Sequence, residues 1–90
     1  MGEHSKTKTS FYRRLYVAWL IEKGSNTVPK IIEATGMPRR TAQDTLAAIH
    51  ELDIEMENNN GTYRIVNWGA VNKVWVGDNI QQIKQVLLYP

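Results

Sequence analysis

Apolar residues recur at helical spacing in two consecutive segments between Thr27 and Leu52. The hydroxyl of Thr27 can cap the first helix, and Pro29 suits its first turn, where a backbone N–H is not needed. Gly36 predicts where this helix ends, because the residue just past a helix often adopts a positive φ that other residues take only with strain. Pro38 begins a second helix, since its ring already sets the φ of a first turn. The inward stripe of the second helix consists of Ala42, Leu46, Ile49 and Leu52.

Two such helices with a glycine in the turn between them predict a helix-turn-helix, the motif that places its second helix in the major groove of DNA. The outward side of the second helix starts with basic and amide side chains, which are the groups that contact phosphates and base edges. An ordinary helical hairpin with a solvated basic face remains the alternative for this stretch alone. The outward residues at the start of the second helix are Arg39, Arg40, Gln43 and Asp44.

An apolar helix is predicted upstream, over residues 10–23, with Ser10 as its cap. Its second half is apolar on almost every side, so neighbouring elements should bury it from more than one direction. Arg13 and Arg14 are expected to point outward from its first half, toward phosphate or solvent. Residues 1–9 are polar and lack periodicity, and we interpret them as a flexible arm.

The pattern changes to period two after the second motif helix, which predicts a β-hairpin with one buried face. Asn60-Gly61 is a strong signal for a two-residue hairpin turn. A loop of this length pairs Met56 with Ile65 on the inner face, and an odd length would mix the two faces. Three helices followed by such a hairpin are the order of a winged helix, with the hairpin as the wing. The expected outward pair is Glu57 with Arg64.

The last segment, residues 67–90, is predicted to form two further amphipathic helices. Asn67 is expected to cap the first, and Asp78 with Gln81 resembles a capping box for the second. A chain of 90 residues leaves little core to bury this tail. We therefore expect it to contact a second copy of the chain, with folding back onto its own domain as the alternative. The expected dimer interface is Trp68, Val71, Trp75, Ile80, Ile83 and Leu87.

Length and composition fit one small domain that is mainly α with a β-hairpin, an α+β fold. Hydrophobic residues make up 42% of the chain, and the absence of cysteine excludes disulfides and thiolate metal sites. The longest apolar run, Leu15–Ile21, is far shorter than the ~20 residues of a membrane span, so no membrane association and a cytoplasmic location are expected. The expected organisation is a flexible arm over residues 1–9, a winged helix-turn-helix domain over 10–66 and a helical dimerisation segment over 67–90.

The net charge of +2 is distributed unevenly along the chain. Residues 1–40 contain eight Lys and Arg against three Asp and Glu, whereas residues 41–90 contain three against six. The two halves therefore carry +5 and −3. A surface that is basic on one side suits the phosphate backbone of nucleic acid, although such asymmetry can also serve only solubility.

Three segments carry a resemblance to known proteins: FYRRLYVAWLI at 11–21, TVPKIIEATGMPRRTAQDTL at 27–46 and TYRIVNWGAV at 62–71. With these segments the chain resembles the winged helix-turn-helix family over about residues 10–90. More narrowly, it resembles small uncharacterised bacterial proteins that are described only as winged-helix DNA-binding proteins. The resemblance implies a fold like that of bacterial transcription regulators, and dimerisation. The chain departs from many winged helices in the acidic residues of its wing.

The leading hypothesis is a homodimeric regulator that binds double-stranded DNA, without a cofactor, through the helix Pro38–Leu52. Arg39 and Arg40 suit guanine edges or phosphates, and Gln43 suits an adenine edge. Asp44 is expected to orient Arg40 from one helical turn away. The predicted DNA contacts are Arg13, Arg14, Lys30, Arg39, Arg40, Thr41, Gln43, Asp44, Asn59, Asn60 and Arg64.

The sequence leaves two other classes of function beside DNA binding. A winged helix that binds another protein through Trp68–Leu87 is the alternative, favoured by the modest net charge and by Glu55 and Glu57 on the wing. The salt dependence of affinity distinguishes DNA binding from protein binding, because DNA affinity falls steeply as salt rises, whereas the affinity of an apolar protein interface barely changes. An enzyme is not expected, since no Ser/His/Asp order, phosphate-binding loop or carboxylate pair stands out. A metal site is not expected either, because His4 and His50 lack the spacing of metal ligands.

Overall fold

The computed structural model describes residues 5–89 and has the predicted fold class, mainly helical with one two-stranded antiparallel sheet. Within this range, no helix has the length and apolar character to cross a membrane. The elements are α1 (Lys6–Glu22), α2 (Val28–Thr35), α3 (Arg39–Ala48), a 3-10 turn (Ile49–Leu52), β1 (Glu55–Asn59), β2 (Thr62–Asn67), α4 (Lys73–Asp78) and α5 (Ile80–Leu87).

Helix α1 begins earlier than the hydrophobic pattern predicts. Ser5, rather than Ser10, is its cap, and the Ser5 hydroxyl oxygen accepts a hydrogen bond from the Lys8 N–H at 3.0 Å. The prediction of a flexible arm is therefore wrong for residues 6–9, while residues 1–4 lie outside the described part of the chain. The first turn of α1 is polar on every side, so apolar periodicity cannot detect it.

Two clusters of buried side chains pack against the second half of α1, as its apolar circumference predicts. Tyr16 belongs to the cluster that α1 forms with α4 and α5. Its burial there raises the pKa of the Tyr16 hydroxyl, and the charge of nearby Tyr89 raises this pKa further. The first cluster joins α1 to α2, α3 and the start of the hairpin, and consists of Val17, Ala18, Ile21, Ile31, Met37, Ala42, Leu46, Ile49 and Ile54. The second cluster joins α1 to α4 and α5, and consists of Tyr12, Leu15, Tyr16, Leu20, Val76, Ile80, Ile83 and Leu87.

The hairpin has the predicted register. Met56 pairs with Ile65, and both side chains pack against the first cluster. Asn60-Gly61 forms the turn with φ of 57° and 92°, and positive φ at both central residues is typical of a type I′ turn. The predicted outward pair, Glu57 with Arg64, is also confirmed.

The predicted caps of the two C-terminal helices are wrong. Asn67 does not begin a helix, because it is still paired in the hairpin as the last residue of β2. Asn72 caps α4 instead, and its side-chain oxygen accepts from the Trp75 N–H at 3.1 Å. Asp78 is the last residue of α4, and no side chain among residues 5–89 caps α5, so the capping box with Gln81 does not form.

The C-terminal tail folds back onto its own domain, which was the alternative expectation. The predicted dimer stripe of Ile80, Ile83 and Leu87 lies in the second cluster against α1 of the same chain. These three residues are therefore unavailable to a second copy, and that part of the predicted interface is corrected. The periodicity of α5 shows that one face is buried, but it does not identify the surface that buries it. Of the other predicted interface residues, Trp68 and Val71 are half-buried and Trp75 is exposed.

Close contacts attach the start of the tail to the domain. Trp68 Nε1 donates to Glu22 Oε1 at 3.0 Å, and Lys73 Nζ lies 3.5 Å from Glu22 Oε2. Gly69 packs directly on the backbone of Asp53, since a Cβ atom on Gly69 would lie only 1.9 Å from the Asp53 carbonyl oxygen. Gly69 also has a φ of 58°. Glycine is therefore required here both for its missing side chain and for its backbone conformation.

We expect Gly69→Ala to lower the free energy of unfolding by about 2–4 kcal/mol, because it adds a steric clash to a left-handed backbone conformation. Gly36→Ala is the matched control, since Gly36 has a φ of 75° with no atom within 4 Å of a built Cβ. The control should lose only about 1–2 kcal/mol, from backbone strain alone. Urea unfolding measures both variants, and equal losses would contradict the role of the close approach.

Candidate nucleic-acid interface

The turn between α2 and α3 determines the direction in which α3 leaves the core. Thr27 caps α2, and its hydroxyl oxygen accepts from the Lys30 N–H at 3.3 Å. Gly36 ends α2 in the left-handed conformation, with a φ of 75°. Met37 then enters the first cluster and is 3% exposed. The roles of Thr27 and Gly36 are the predicted ones, and together with Met37 these residues anchor the turn on both sides.

Thr35 is a buried polar residue in this turn that hydrophobic patterning does not reveal. Its hydroxyl donates to the Ile31 carbonyl oxygen at 2.8 Å and accepts from the Met37 N–H at 3.1 Å. Thr35 therefore connects the last turn of α2 to the residue that enters the core. The available signal was a threonine directly before Gly36, because hydroxyls near helix ends often bond to backbone groups.

Helix α3 has one buried and one exposed face, as predicted. Ala42 and Leu46 lie in the first cluster. Pro38 precedes α3 and offers no capping side chain, so the first N–H groups of the helix have no side-chain partner among residues 5–89. Exposed N–H groups and the helix dipole both favour an anion at this end. The exposed side chains there are Arg39, Arg40, Gln43 and Asp44, and Thr41 is half-buried.

The expected pairing between Arg40 and Asp44 is confirmed. Arg40 Nε lies 3.8 Å from Asp44 Oδ2, and the two side chains are 91% and 76% exposed. A pair so exposed contributes little to stability.

Arg13 and Arg14 are half-buried, whereas the sequence pattern predicts that they point outward. They line a cleft of about 250 Å³ between α1 and α3. Arg14 Nη1 lies 3.8 Å from Glu51 Oε1, and Arg13 Nε is buried without a hydrogen-bond partner in the described part of the chain. Both arginines lie one helical turn before Val17, on the face of α1 that packs toward α3, so the packing of these helices encloses their stems. The other lining residues are Ser10, Thr41, Asp44, Thr45 and Ala48.

The hairpin offers neutral polar groups at its tip and a neutralised cation on its outer face. The tip residues Asn59-Asn60 are exposed. Arg64 Nη2 lies 2.6 Å from Glu57 Oε1, so an acidic partner already offsets its charge. The Tyr63 N–H donates to the Asn26 carbonyl oxygen at 2.8 Å, which attaches the hairpin to the connection between α1 and α2.

Residues 5–89 contain no group of three or more His, Cys, Asp or Glu placed to hold a metal ion. His50 Nδ1 lies 2.6 Å from the Ala47 carbonyl oxygen, a local contact at the end of α3. This contact is consistent with a structural role for His50.

Comparison with known protein families identifies the family of this chain. The sequence profile of the family described as Winged helix-turn helix matches residues 6–87. The chain belongs to this winged helix-turn-helix family. Its motif is formed by α2, the turn and α3, and its wing is the hairpin of β1 and β2.

A solved structure resembles this winged helix-turn-helix protein over its whole length. It is the crystal structure of a DUF2131 family protein from Shewanella amazonensis SB2B, with 32% sequence identity and a TM-score of 0.90. The similarity covers 100% of this chain and 94% of that chain. A comparison with proteins of curated function gives no match.

We expect Thr35→Val to lower the free energy of unfolding by about 1–3 kcal/mol, because it leaves the buried Met37 N–H without an acceptor. Thr45→Val is the matched control, since Thr45 is buried to the same degree but only donates, to the Thr41 carbonyl oxygen at 2.7 Å. The control should lose less than about 1 kcal/mol. Denaturant unfolding compares the variants, and a Thr35→Val loss no larger than that of the control would exclude the proposed role of the hydroxyl.

Proposed function

We propose that this winged helix-turn-helix protein is a bacterial, cytoplasmic transcriptional regulator that binds double-stranded DNA through α3. The proposal depends on one observation, the exposure of Arg39, Arg40 and Gln43 at the start of a helix whose other face is buried. In this arrangement α3 enters the major groove with its first residues toward the base edges. The family supports nucleic-acid binding as the general role.

The first turns of α3 carry the functional groups that base edges recognise. Arg39 and Arg40 suit guanine, which offers two acceptors, and Gln43 suits adenine, which offers one donor and one acceptor. Each bidentate contact of this kind discriminates against a wrong base by ~1–3 kcal/mol. Asp44 repels phosphates and lies beside Arg40, so it favours a base contact of that arginine over a backbone contact.

Phosphate contacts are assigned to cations on α1 and α2. Lys30 is exposed in the first turn of α2. Arg13 and Arg14 line the cleft beside Thr41, so a DNA strand passing α3 would come close to them. A phosphate oxygen in this cleft would lie near the guanidinium groups of Arg13 and Arg14.

The wing is the weaker part of the proposed interface. Asn59 and Asn60 are exposed at its tip and can donate to phosphate oxygens or groove edges. Arg64 shares its charge with Glu57, and Glu55 is exposed on the same hairpin. Carboxylates near DNA are repelled by the phosphates. The main anchor is therefore assigned to α3 and the neighbouring cleft.

The proposal includes a homodimer, with an interface different from the predicted stripe. Val74 is 69% exposed and Leu88 is 89% exposed, and both belong to the C-terminal segment. Leu88 also has a φ of 62°, which is uncommon for leucine. Contact between two copies through these residues would remove apolar surface from water. A dimer of this kind would bind two half-sites about one helical turn, ~34 Å, apart.

Binding of another protein is the second candidate function. The exposed Trp75 on α4 and the acidic residues on the wing favour it. The two candidates differ in their response to salt, because each neutralised phosphate steepens the fall of DNA affinity with salt. An interface made by apolar side chains would respond little to salt.

We expect the double variant Arg40→Ala with Gln43→Ala to bind a selected DNA site at least about thirtyfold more weakly, since each base contact is worth ~1–3 kcal/mol. Fluorescence anisotropy with a labelled duplex, chosen by selection from random sequences, measures the affinity. Circular dichroism should show an unchanged fold, because both side chains are exposed.

Lys84→Ala with Gln85→Ala on α5 is the matched control, since it also removes one cation and one amide. This variant should bind the selected site as the natural chain does. Unchanged affinity of the α3 variant would refute recognition by α3. If the natural chain binds no selected duplex and captures a protein partner with little salt dependence, the second candidate replaces the first.

We expect light scattering to give about twice the 10.3 kDa mass of one chain. Val74→Asp with Leu88→Asp should give a monomer, because two carboxylates in an apolar contact lose their hydration. Val66→Asp is the control, since Val66 is 45% exposed but lies on the hairpin. A natural chain that is monomeric, or a dimer that both variants leave intact, would rule out this interface.

A further inference from the structure

An open cleft of about 470 Å³ lies between α1, the 3-10 turn after α3 and the segment that enters α4. Leu15 and Val76 line it and are only 2% and 1% exposed, so the innermost wall of the cleft is apolar. The volume falls within the ~300–1,000 Å³ that is typical of small-molecule sites. None of the residues proposed to contact DNA lines this cleft. The two clefts therefore share no lining residue, although the ion pair between Arg14 and Glu51 connects them.

Two half-exposed aromatic side chains belong to the cleft wall. Phe11 comes from α1 and Trp75 from α4, and each is 41% exposed. Covering side chains of this size is favourable, by about 25 cal/mol per Å² of apolar surface. The faces of aromatic rings also attract cations, and tryptophan attracts them most strongly. The wall therefore suits a ligand that is both apolar and positively charged.

The charged residues of the cleft lining are both acidic. They are Glu51 and Asp53, and no Lys, Arg or His is among the described residues that line it. Arg14 lies 3.8 Å from Glu51 and offsets part of its charge, whereas Asp53 makes no ion pair within residues 5–89. The open volume next to these carboxylates therefore has a negative potential.

We propose that this cleft binds a small organic cation with an apolar or aromatic body. The apolar wall covers the body of the ligand, while Glu51 and Asp53 attract its charge. An anion of the same size would be repelled by both carboxylates. A neutral ligand would displace water from the carboxylates and give them no partner in return. In a DNA-binding regulator such a ligand would act as the effector, and this last clause alone rests on the proposed function.

The test uses benzyltrimethylammonium as the probe, with the full chain and without DNA. The indole N–H signal of Trp75 is followed by NMR and identified by its loss in Trp75→Phe. We expect a saturable shift of this signal. Benzenesulfonate, which has a similar ring and the opposite charge, should bind at least about tenfold more weakly, because both carboxylates repel it. Since DNA is absent, a failure of the DNA-binding proposal does not alter this result.

The double variant Glu51→Gln with Asp53→Asn removes the charge of the cleft and keeps its shape. Asparagine tolerates the φ of 60° at position 53 as aspartate does. We expect affinity for benzyltrimethylammonium to fall about fivefold to tenfold, because the variant removes two charge contacts that are partly exposed and therefore modest in strength. Glu33→Gln with Glu55→Gln removes the same charge from exposed positions outside the cleft and should leave the affinity unchanged.

Equal affinity for the cation and the anion, or an unaltered affinity in the cleft variant, would overturn the proposal. So would the absence of any Trp75 shift up to roughly 10 mM probe, which corresponds to binding weaker than about 3 kcal/mol. A Trp75 signal that shifts with protein concentration and not with the probe would assign the cleft to a second copy of the chain. That outcome also overturns the proposal.

Discussion

The burial of α1 from two sides is the constraint on which the other packing depends. The helix contributes Val17 and Ile21 to the cluster with α2 and α3, and Leu15 and Leu20 to the cluster with α4 and α5. A chain of this size has little interior, so one central helix has to supply apolar surface to most of its neighbours. Removing the C-terminal tail would leave the second surface of α1 in water. The buried face of the tail therefore belongs to the core of its own domain.

The same packing positions the candidate interface. Because α1 packs toward α3, Arg13 and Arg14 are half-buried beside α3, although their sequence context indicates a solvated face. At the other end, the hydroxyl of Thr35 and the left-handed Gly36 hold the turn from which α3 starts. The exposed face of α3 is thus supported by contacts that come from α1 and α2. Because these contacts already fix the position of α3, the helix would lose little conformational entropy on binding a partner such as DNA.

Charge is segregated among the surfaces of the molecule, and each surface suits a different class of partner. The start of α3 and the cleft beside Arg13 carry cations and open N–H groups, which suit an anion such as the DNA backbone. The wing combines a neutral tip with carboxylates, so it adds little attraction for DNA. The second cleft places Glu51 and Asp53 next to Trp75, and this combination suits a cation with an apolar body.

Interactions within a few residues of the chain were predictable from the sequence alone, because neighbouring residues are sufficient to form them. The turn at Gly36 and the hairpin register set by Asn60-Gly61 belong to this class, as does the exposed start of α3. Contacts between distant segments were decided by the tertiary structure. The stripe of α5 predicts burial but not the surface that covers it, and the enclosure of Arg13 depends on how α1 and α3 pack. The approach of Gly69 to Asp53 likewise depends on the path of the tail, and periodicity contains no information about that path.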